Sequence, residues 1–427
     1  MAATQLRLLG SPRLRGLFWT QFFGALNDNL LKNALVIEVA YRDSGSSTDT
    51  EIIVTIATAL FILPYFLFSA TAGQLADKLG KARLVRALKL WEIAIMLLAA
   101  AGFALGGTSI GLAVLFLLGV QAAFFGPVKY GILPELLGSD ELVSGNAVVE
   151  AGTFLAILIG TIAGGLMILM PHGATTVATS LLAFAVIGYG ASRLIPRLPA
   201  ASPALRVNPN IAAETWRVLR YANQNREVRW SILGNSWFWF VAVAIVSQFP
   251  NYAREVLGAN NEVVTLFLTI NSVGIGAGSM LAGRILHGAL SARLVPWSAA
   301  AMALVGFDLW LLGGAPGGPE LLGIGAFLGA LQHWRTAIDL FVIALGAGVF
   351  VVPLYAIMQA RSEATHRARV IAANNVWNAL FMVAAGVGSA LMLRLGAGVI
   401  DIFLAVALGN AAVAAVTWPL RGGVRRP

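Results

Sequence analysis

Apolar residues run through this chain in long blocks, and polar residues gather in short segments between them. Blocks such as 52–72 and 174–190 approach or exceed the roughly 18 apolar residues at which a membrane-spanning helix becomes the expected element. Backbone immersed in hydrocarbon finds no water to bond, so these blocks must be helical. The pattern predicts twelve helices, at about 17–40, 52–74, 87–106, 109–133, 144–170, 174–195, 229–249, 262–284, 295–313, 336–359, 371–392 and 397–420. The one long hydrophilic stretch, 196–228, divides them into a six-helix half over 1–195 and another over 229–427. Within it, 211–221 has helical spacing of apolar residues with Arg217 and Arg220 between them. That suits either a helix on an anionic membrane surface or a solvated linker helix. Residues 321–331 are apolar but too short to span, and are expected to form an external or re-entrant piece.

Composition supports the same fold class, an all-α membrane protein of two pseudo-symmetric halves. Of 427 residues 58% are hydrophobic and 11% charged, against about a quarter charged in a soluble domain. The 46 glycines fall largely inside the apolar runs, as at Gly160, Gly164, Gly274 and Gly278, where small residues let helices approach closely. The net charge of +9 follows topology rather than marking a nucleic-acid surface. With the N-terminus inside, most basic residues fall in cytoplasmic segments: Arg7 to Arg15, Lys78 to Lys89, Arg193 to Arg229, Arg284 and Arg293, Arg361 to Arg369, and Arg421 to Arg426. The excess of positive charge inside predicts both termini in the cytoplasm. Residues 1–16 then read as a cytoplasmic tail, not a signal peptide.

Several kinds of chemistry find no support. No cysteine is present, which excludes disulfides and thiol catalysis. His172, His287, His333 and His366 stand at predicted loops or helix ends without ligand spacing, so exposure is expected rather than metal binding. No phosphate loop and no nucleophile paired with a base is visible, so no enzyme activity and no cofactor are expected.

An internal repeat points to the site. Helices four and five carry Pro127, Lys129 and then Asn146 and Glu150; helices ten and eleven carry Pro353, Tyr355 and then Asn374 and Asn378. Laid over one another, Pro127 meets Pro353 and Asn146 meets Asn374, as in transporters whose related halves rock about a central cavity. Lys129 meets Tyr355 and Glu150 meets Asn378, so the ionisable residues belong to the first half, and the polar part of the site is expected there. Lys129 and Glu150 lie about equally far from the turn between their helices, which predicts an ion pair, either structural or exchangeable for a substrate phosphate. On the first helix, Asp28 is expected about 17 Å deep at 1.5 Å per residue. A carboxylate there costs at least about 2.5 kcal/mol on insertion scales, so it is expected to face a cavity or to pair with Lys32 one turn on. Asp308 and Asp339, near outer helix ends, are weaker candidates.

Between helices two and three stands Gly73-Gln-Leu-Ala-Asp77-Lys-Leu-Gly80-Lys81-Ala-Arg83. The glycines allow a tight turn, and Asp77 is expected to meet an arginine or a helix N-terminus of the other half, latching an inner gate. The loop resembles the signature of the major facilitator superfamily, with Ala82 where that signature has a basic residue; its counterpart, Gly283 to Arg293, lacks the acid. The stretches Trp19 to Asn29, Phe125 to Glu135 and Val370 to Asn378 resemble the bacterial lysophospholipid transporters, some of which are fused to acyltransferase and acyl-carrier-protein synthetase domains.

The resemblance covers nearly the whole chain and implies that lysophosphatidylethanolamine and related lysolipids are moved to the cytoplasmic leaflet for reacylation. This chain ends at Pro427 without fused enzymes, so the resemblance implies a separate acyltransferase and synthetase as functional partner. It also implies substrate binding by Asp28 and Lys129, with Asn29, Asn146 and Glu150 in its motifs; the repeat adds Asn374 and Asn378 as substrate-binding candidates, and the signature loop gives gating by Gly73, Asp77, Gly80, Lys81 and Arg83. Lys129 would take the phosphate and Asp28 the ammonium, while aromatic and small residues accept the acyl chain. The alternative is a proton-coupled exporter of amphipathic drugs with Asp28 as proton carrier, and a membrane scaffold without transport is a third reading.

Overall fold

In the computed structural model, residues 2–42, 47–105, 108–313 and 321–422 are described. Arg425 and Arg426, counted above among the cytoplasmic basic residues, lie outside them. Among the described residues twelve long helices follow one another: α1 Arg15–Arg42, α2 Ser47–Lys78, α3 Lys81–Leu105, α4 Thr108–Leu136, α5 Leu142–Ile168, α6 Gly173–Ser192, α7 Arg226–Val246, α8 Asn261–Leu286, α9 Val295–Leu312, α10 Leu331–Arg361, α11 Arg367–Arg394 and α12 Val399–Thr417. Eleven are long and apolar enough to cross a membrane. The exception is α1, whose middle carries Gln21, Asn27, Asp28, Asn29, Lys32 and Asn33. Its polarity belongs to what it faces, as shown below.

Helix neighbours repeat from one half to the other. In the first half α1 packs on α5 and α6, α2 on α4, and α3 on α4 and α6; in the second α7 packs on α11 and α12, α8 on α10, and α9 on α10 and α12. Across the halves α5 meets α8 and α10, while α11 meets α2 and α4. Exchanging the halves maps each of these contacts onto another, as a two-fold pseudo-symmetry requires. Close approach depends on glycine at the tightest points: a side chain at Gly164 would meet the backbone of Leu30 on α1, and one at Gly278 the backbone of Leu345 on α10. The predicted packing role of these glycine runs is what the contacts give.

The seams between the halves are covered at the end carrying the basic loops. At the α2/α11 seam the linker crosses over, with Ser202 N donating to Asp77 O (2.7 Å), Ser202 Oγ to Thr365 O (3.1 Å) and Asn208 N to Gln74 Oε1 (2.7 Å). It continues into the helix Ile211–Ala222, capped by Asn210, whose side chain accepts from Ala213 N (2.9 Å). This helix packs on α2 and α11. Its Glu214 is buried and paired with Arg217 (2.8 Å), whereas Trp216 is 71% exposed. At the α5/α8 seam a short helix, Ala2–Gly10, does the bridging. Gln5 Nε2 donates to Met280 O of α8 (3.1 Å), and Arg13 forks onto Glu141 beside α5 (2.8 and 2.9 Å). That fork holds the Glu141 carboxyl below its usual range.

The apolar piece over 321–331 folds as a short helix, Ile324–Gly329, that buries Phe327 against Phe267 and His333. His333 therefore departs from the expected exposure: its ring stacks on Phe327 with centroids 4.5 Å apart, and its Nδ1 lies 3.0 Å from Phe327 O. Periodicity ends the apolar run there but does not reveal that the piece turns back onto the bundle.

Candidate functional site

A cavity of about 350 Å³ lies between the halves, walled by α1 to α5 on one side and α7, α10 and α11 on the other. Among the described residues its formal charges all come from the first half: Asp28 and Lys32 on α1, Lys89 and Glu92 on α3, Lys129 on α4 and Glu150 on α5. The second half contributes Trp239, Tyr355, Asn375, Asn378 and Met382, polar or apolar but uncharged. The asymmetry follows the mismatched positions of the repeat, where Tyr355 and Asn378 stand opposite Lys129 and Glu150. At one boundary Tyr130 and Tyr355, one from each half, stack with centroids 4.4 Å apart and planes 6° from parallel.

The side chains within this wall pair differently from expectation. Lys129 and Glu150 do not bond to each other. Lys129 Nζ donates to Thr153 Oγ1 (2.9 Å) and sits 4.8 Å from the Tyr130 ring centroid, while Glu150 accepts from the Tyr130 hydroxyl. Tyr130, adjacent to Lys129 in sequence, supplies the donor that equal depth alone could not reveal. Asp28 and Lys32 are likewise unpaired: Lys32 Nζ lies 4.4 Å from the centroid of the Phe61 ring, and Asp28 Oδ1 is buried without a hydrogen-bond partner among the described residues. Spacing of four residues permits contact on a helix but does not enforce it when both side chains turn to a cavity.

Of the remaining candidates, Asn29 and Asn378 line the cavity, with the Asn378 side-chain amide 2.9 Å from Ser236 Oγ. Asn146 and Asn374 do not. Asn146 is fully buried in the seam, where its amide exchanges hydrogen bonds with Gln359 of α10 (2.7 and 3.0 Å). Asn374 is also buried, and its side-chain oxygen accepts from Asn235 of α7 (3.2 Å). Each lies four residues before a cavity-lining position, close enough to share its helix but turned toward a neighbouring helix. Asp308 is held by Arg335 (2.8 Å) away from the cavity, and Asp339 is absent from its lining as well.

The sequence reading also missed a group. The charge pattern places Lys89 with the cytoplasmic cations, but it is 1% exposed and bonds Glu92 one turn on (2.6 Å), which also accepts from Gln121 Nε2 of α4 (3.1 Å). Gly24 on α1 leaves the room for it, since a Cβ there would stand 2.7 Å from Lys89 Nζ. Opposite charges three residues apart inside an apolar block are the signal that identifies such a pair.

At the basic end the residues of the gate motif meet the other half. Asp77 is fully buried at the N-terminus of α11, accepting from the amides of Ala368 (3.1 Å) and Arg369 (3.4 Å) and from Arg369 Nε (3.0 Å). A carboxylate at an amide-rich helix start beside a guanidinium is stabilised by both. Gly73 lies against the same turn, where a Cβ would come within 2.9 Å of Arg369 Cα. Lys81, fully buried, bonds Glu135 of α4 (2.5 Å), and the linker carbonyl of Leu198 passes 2.9 Å from the Cβ position of Gly80. Arg83 is exposed. Next to the latch His366 stacks on Tyr221 of the linker helix at 4.5 Å; burial, then the neighbouring Arg369, hold its pKa below the usual histidine value.

This arrangement, a polar cavity between two related six-helix halves closed at one end by an acid-to-helix latch, has known relatives. The family description Major Facilitator Superfamily matches residues 17–386. The lysophospholipid transporter LplT of Pectobacterium carotovorum is 30% identical over 400 residues, covering 91% of this chain and 89% of that protein. Its namesake in Serratia proteamaculans is 30% identical over 363 residues, covering 80% and 79%. Among solved structures, the transporter FucP in its outward conformation superimposes with a TM-score of 0.70 at 15% identity, over 95% of this chain and 97% of that one. A bacterial homologue of the iron transporter ferroportin, in an outward-facing state, gives 0.69 at 13% identity, over 95% and 99%. At such identities the two structures share the fold, whereas the sequence relatives carry the closer kinship: the chain belongs to the major facilitator superfamily and, within it, to the family of the bacterial lysophospholipid transporters.

Proposed function

We propose that this protein carries lysophospholipids across the bacterial inner membrane to the cytoplasmic leaflet by alternating access. The basic end is then cytoplasmic, with both termini there. The moving bodies are residues 1–195 and 229–427, joined by 196–228. The observation that carries the reading is the cavity wall of α1 and α4. Among the described residues it offers two cations with no carboxylate bonded to them, Lys129 on α4 and Lys32 on α1, the latter set over the Phe61 ring, and one carboxylate oxygen without a donor, Asp28 Oδ1, between apolar surfaces. A lysolipid has the matching parts: a phosphate for Lys129, an ammonium or hydroxyl head for Asp28 and a single acyl chain for the apolar wall. Asn29, Glu150 and Asn378 complete the lining.

Opening toward the cytoplasm requires Asp77 to leave Arg369 and the start of α11, with Gly73, Gly80, Lys81 and Arg83 forming the surrounding turn. The carried lipid then becomes the substrate of an acyltransferase.

In proteoliposomes, labelled lysophosphatidylethanolamine is expected to move between leaflets only when the protein is present. Asp28→Asn and Lys129→Ala are expected to slow that movement at least tenfold while inserting normally. Movement at the wild-type rate in either variant removes that residue from the site. Drug efflux dependent on a pH gradient, without lysolipid movement, would instead establish the exporter reading.

A further inference from the structure

The cavity wall contains a second carboxylate that neither the repeat nor the gate motif uses. Glu92 is 1% exposed and lines the cavity, yet only one of its oxygens is satisfied. Oε2 takes both Lys89 Nζ (2.6 Å) and Gln121 Nε2 (3.1 Å), while Oε1 is buried without a hydrogen-bond partner among the described residues. Asp28 Oδ1 is in the same condition. The two belong to one surface: a Cβ at Gly24 would stand 3.8 Å from Glu92 Oε2, and Asp28 follows Gly24 by one turn on the same face of α1. Buried acceptors without donors are costly, and what both lack is hydrogen on a donor. Lys89 and Gln121 fix the carboxylate in place through Oε2 and leave Oε1 without a partner of its own.

We propose that Asp28 and Glu92 together form a subsite for a primary ammonium, which can donate to two acceptors at once, and that Glu92 is a specificity-determining residue for the head group. The proposal rests on the lysolipid reading above and deepens it. An ammonium carries three N–H donors and a positive charge, so it satisfies Asp28 Oδ1 and Glu92 Oε1 simultaneously. A quaternary ammonium has no N–H and satisfies neither. A glycerol head has two hydroxyls but no charge, and gains little from a second carboxylate when Asp28 is already present. Lys89 and Gln121 are positioning residues in this scheme, since they act on the substrate only through Glu92.

The test compares wild-type protein with Glu92→Gln in proteoliposomes, measuring initial rates over a concentration series for lysophosphatidylethanolamine and for lysophosphatidylglycerol. Glutamine keeps the shape of the side chain and removes the charge. The subsite predicts a rise in KM for the ethanolamine lipid of about tenfold or more, with that for the glycerol lipid within twofold of wild type. An equal loss for both lipids, or no loss for either, overturns it, because a purely structural Glu92 would not distinguish head groups. Wild-type protein that moves neither lipid overturns the lysolipid reading and this subsite with it, whereas movement of both with an unselective Glu92→Gln effect overturns the subsite alone. Should the variant fold poorly, equilibrium binding to the wild-type protein decides. Lysophosphatidylethanolamine is expected to bind at least tenfold more tightly than its trimethylated choline counterpart, and equal binding overturns the proposal.

Discussion

Gly164 stands inside an apolar run where a small residue admits a neighbouring backbone, and there it admits Leu30 of α1. Gly164→Val is therefore expected to lower the thermal midpoint in detergent by the equivalent of about 1 to 3 kcal/mol, the usual cost of overpacking. A midpoint within error of wild type would mean that α1 and α5 yield there. Asp28 was likewise found by depth alone, since a carboxylate in the middle of a span has few tolerable places. What depth could not supply was the partner. The pairing of Lys129 with Glu150 failed because a helical register fixes the direction in which a side chain leaves, not the atom it reaches: Thr153 and Tyr130 took the two groups instead. Of the two places open to Asp28, the cavity is the one it takes, while Lys32 turns to the Phe61 ring. Lys89 was misread for a related reason, because charge counting assigns every lysine near a helix end to water and takes no account of an acid one turn further in.

Elements were the more readable level. The lengths of apolar runs located the helices, and the single hydrophilic stretch located the linker, because in a bilayer the backbone has no alternative to helix. The linker itself carried more structure than its polarity suggested. Its helix is pinned beneath α2 and α11, and through Tyr221 it touches His366 at the latch. That contact has a consequence for pH. The groups facing His366 are Tyr221, Arg369, Glu363 and Asp77, and the balance of burial and Arg369 depresses its pKa in the closed arrangement. The closed state thus binds fewer protons than one in which the histidine is solvated. Its stabilisation is complete above the ordinary histidine value near 6.5 and is lost as pH falls through the depressed one. Acidifying the side of the basic loops is expected to shift the population toward an open basic end, read as increased labelling of a cysteine introduced at Ala368, which is fully buried. His366→Phe, which keeps the stack, is expected to remove that shift; an unchanged pH response in the variant would assign the effect to another group.

At the scale of the whole molecule, pseudo-symmetry governs the packing but not the chemistry. Every major helix contact in one half has a counterpart in the other, yet the six charged residues of the cavity wall sit on one half only, three basic and three acidic. The sequence revealed this through the mismatched positions of the repeat, although it took the structure to add Lys89 and Glu92. A wall whose charges balance, facing a wall that has none, has an electrical consequence. With all six groups ionised, the empty site carries no net charge, so the work done by the membrane potential during transport falls on the cargo. A zwitterionic lysolipid moves no net charge and is expected to cross at a rate indifferent to voltage. On the inward path proposed above, a lysolipid with one uncompensated phosphate takes a negative charge toward the negative side of the membrane, against about 2.3 kcal/mol for every 100 mV. Potassium diffusion potentials imposed on proteoliposomes would separate the two cargoes: an inside-negative potential should slow inward movement of the anionic lipid and leave the zwitterion unaffected, whereas a steep response of the zwitterion would mean that a charge of the protein itself moves across the field.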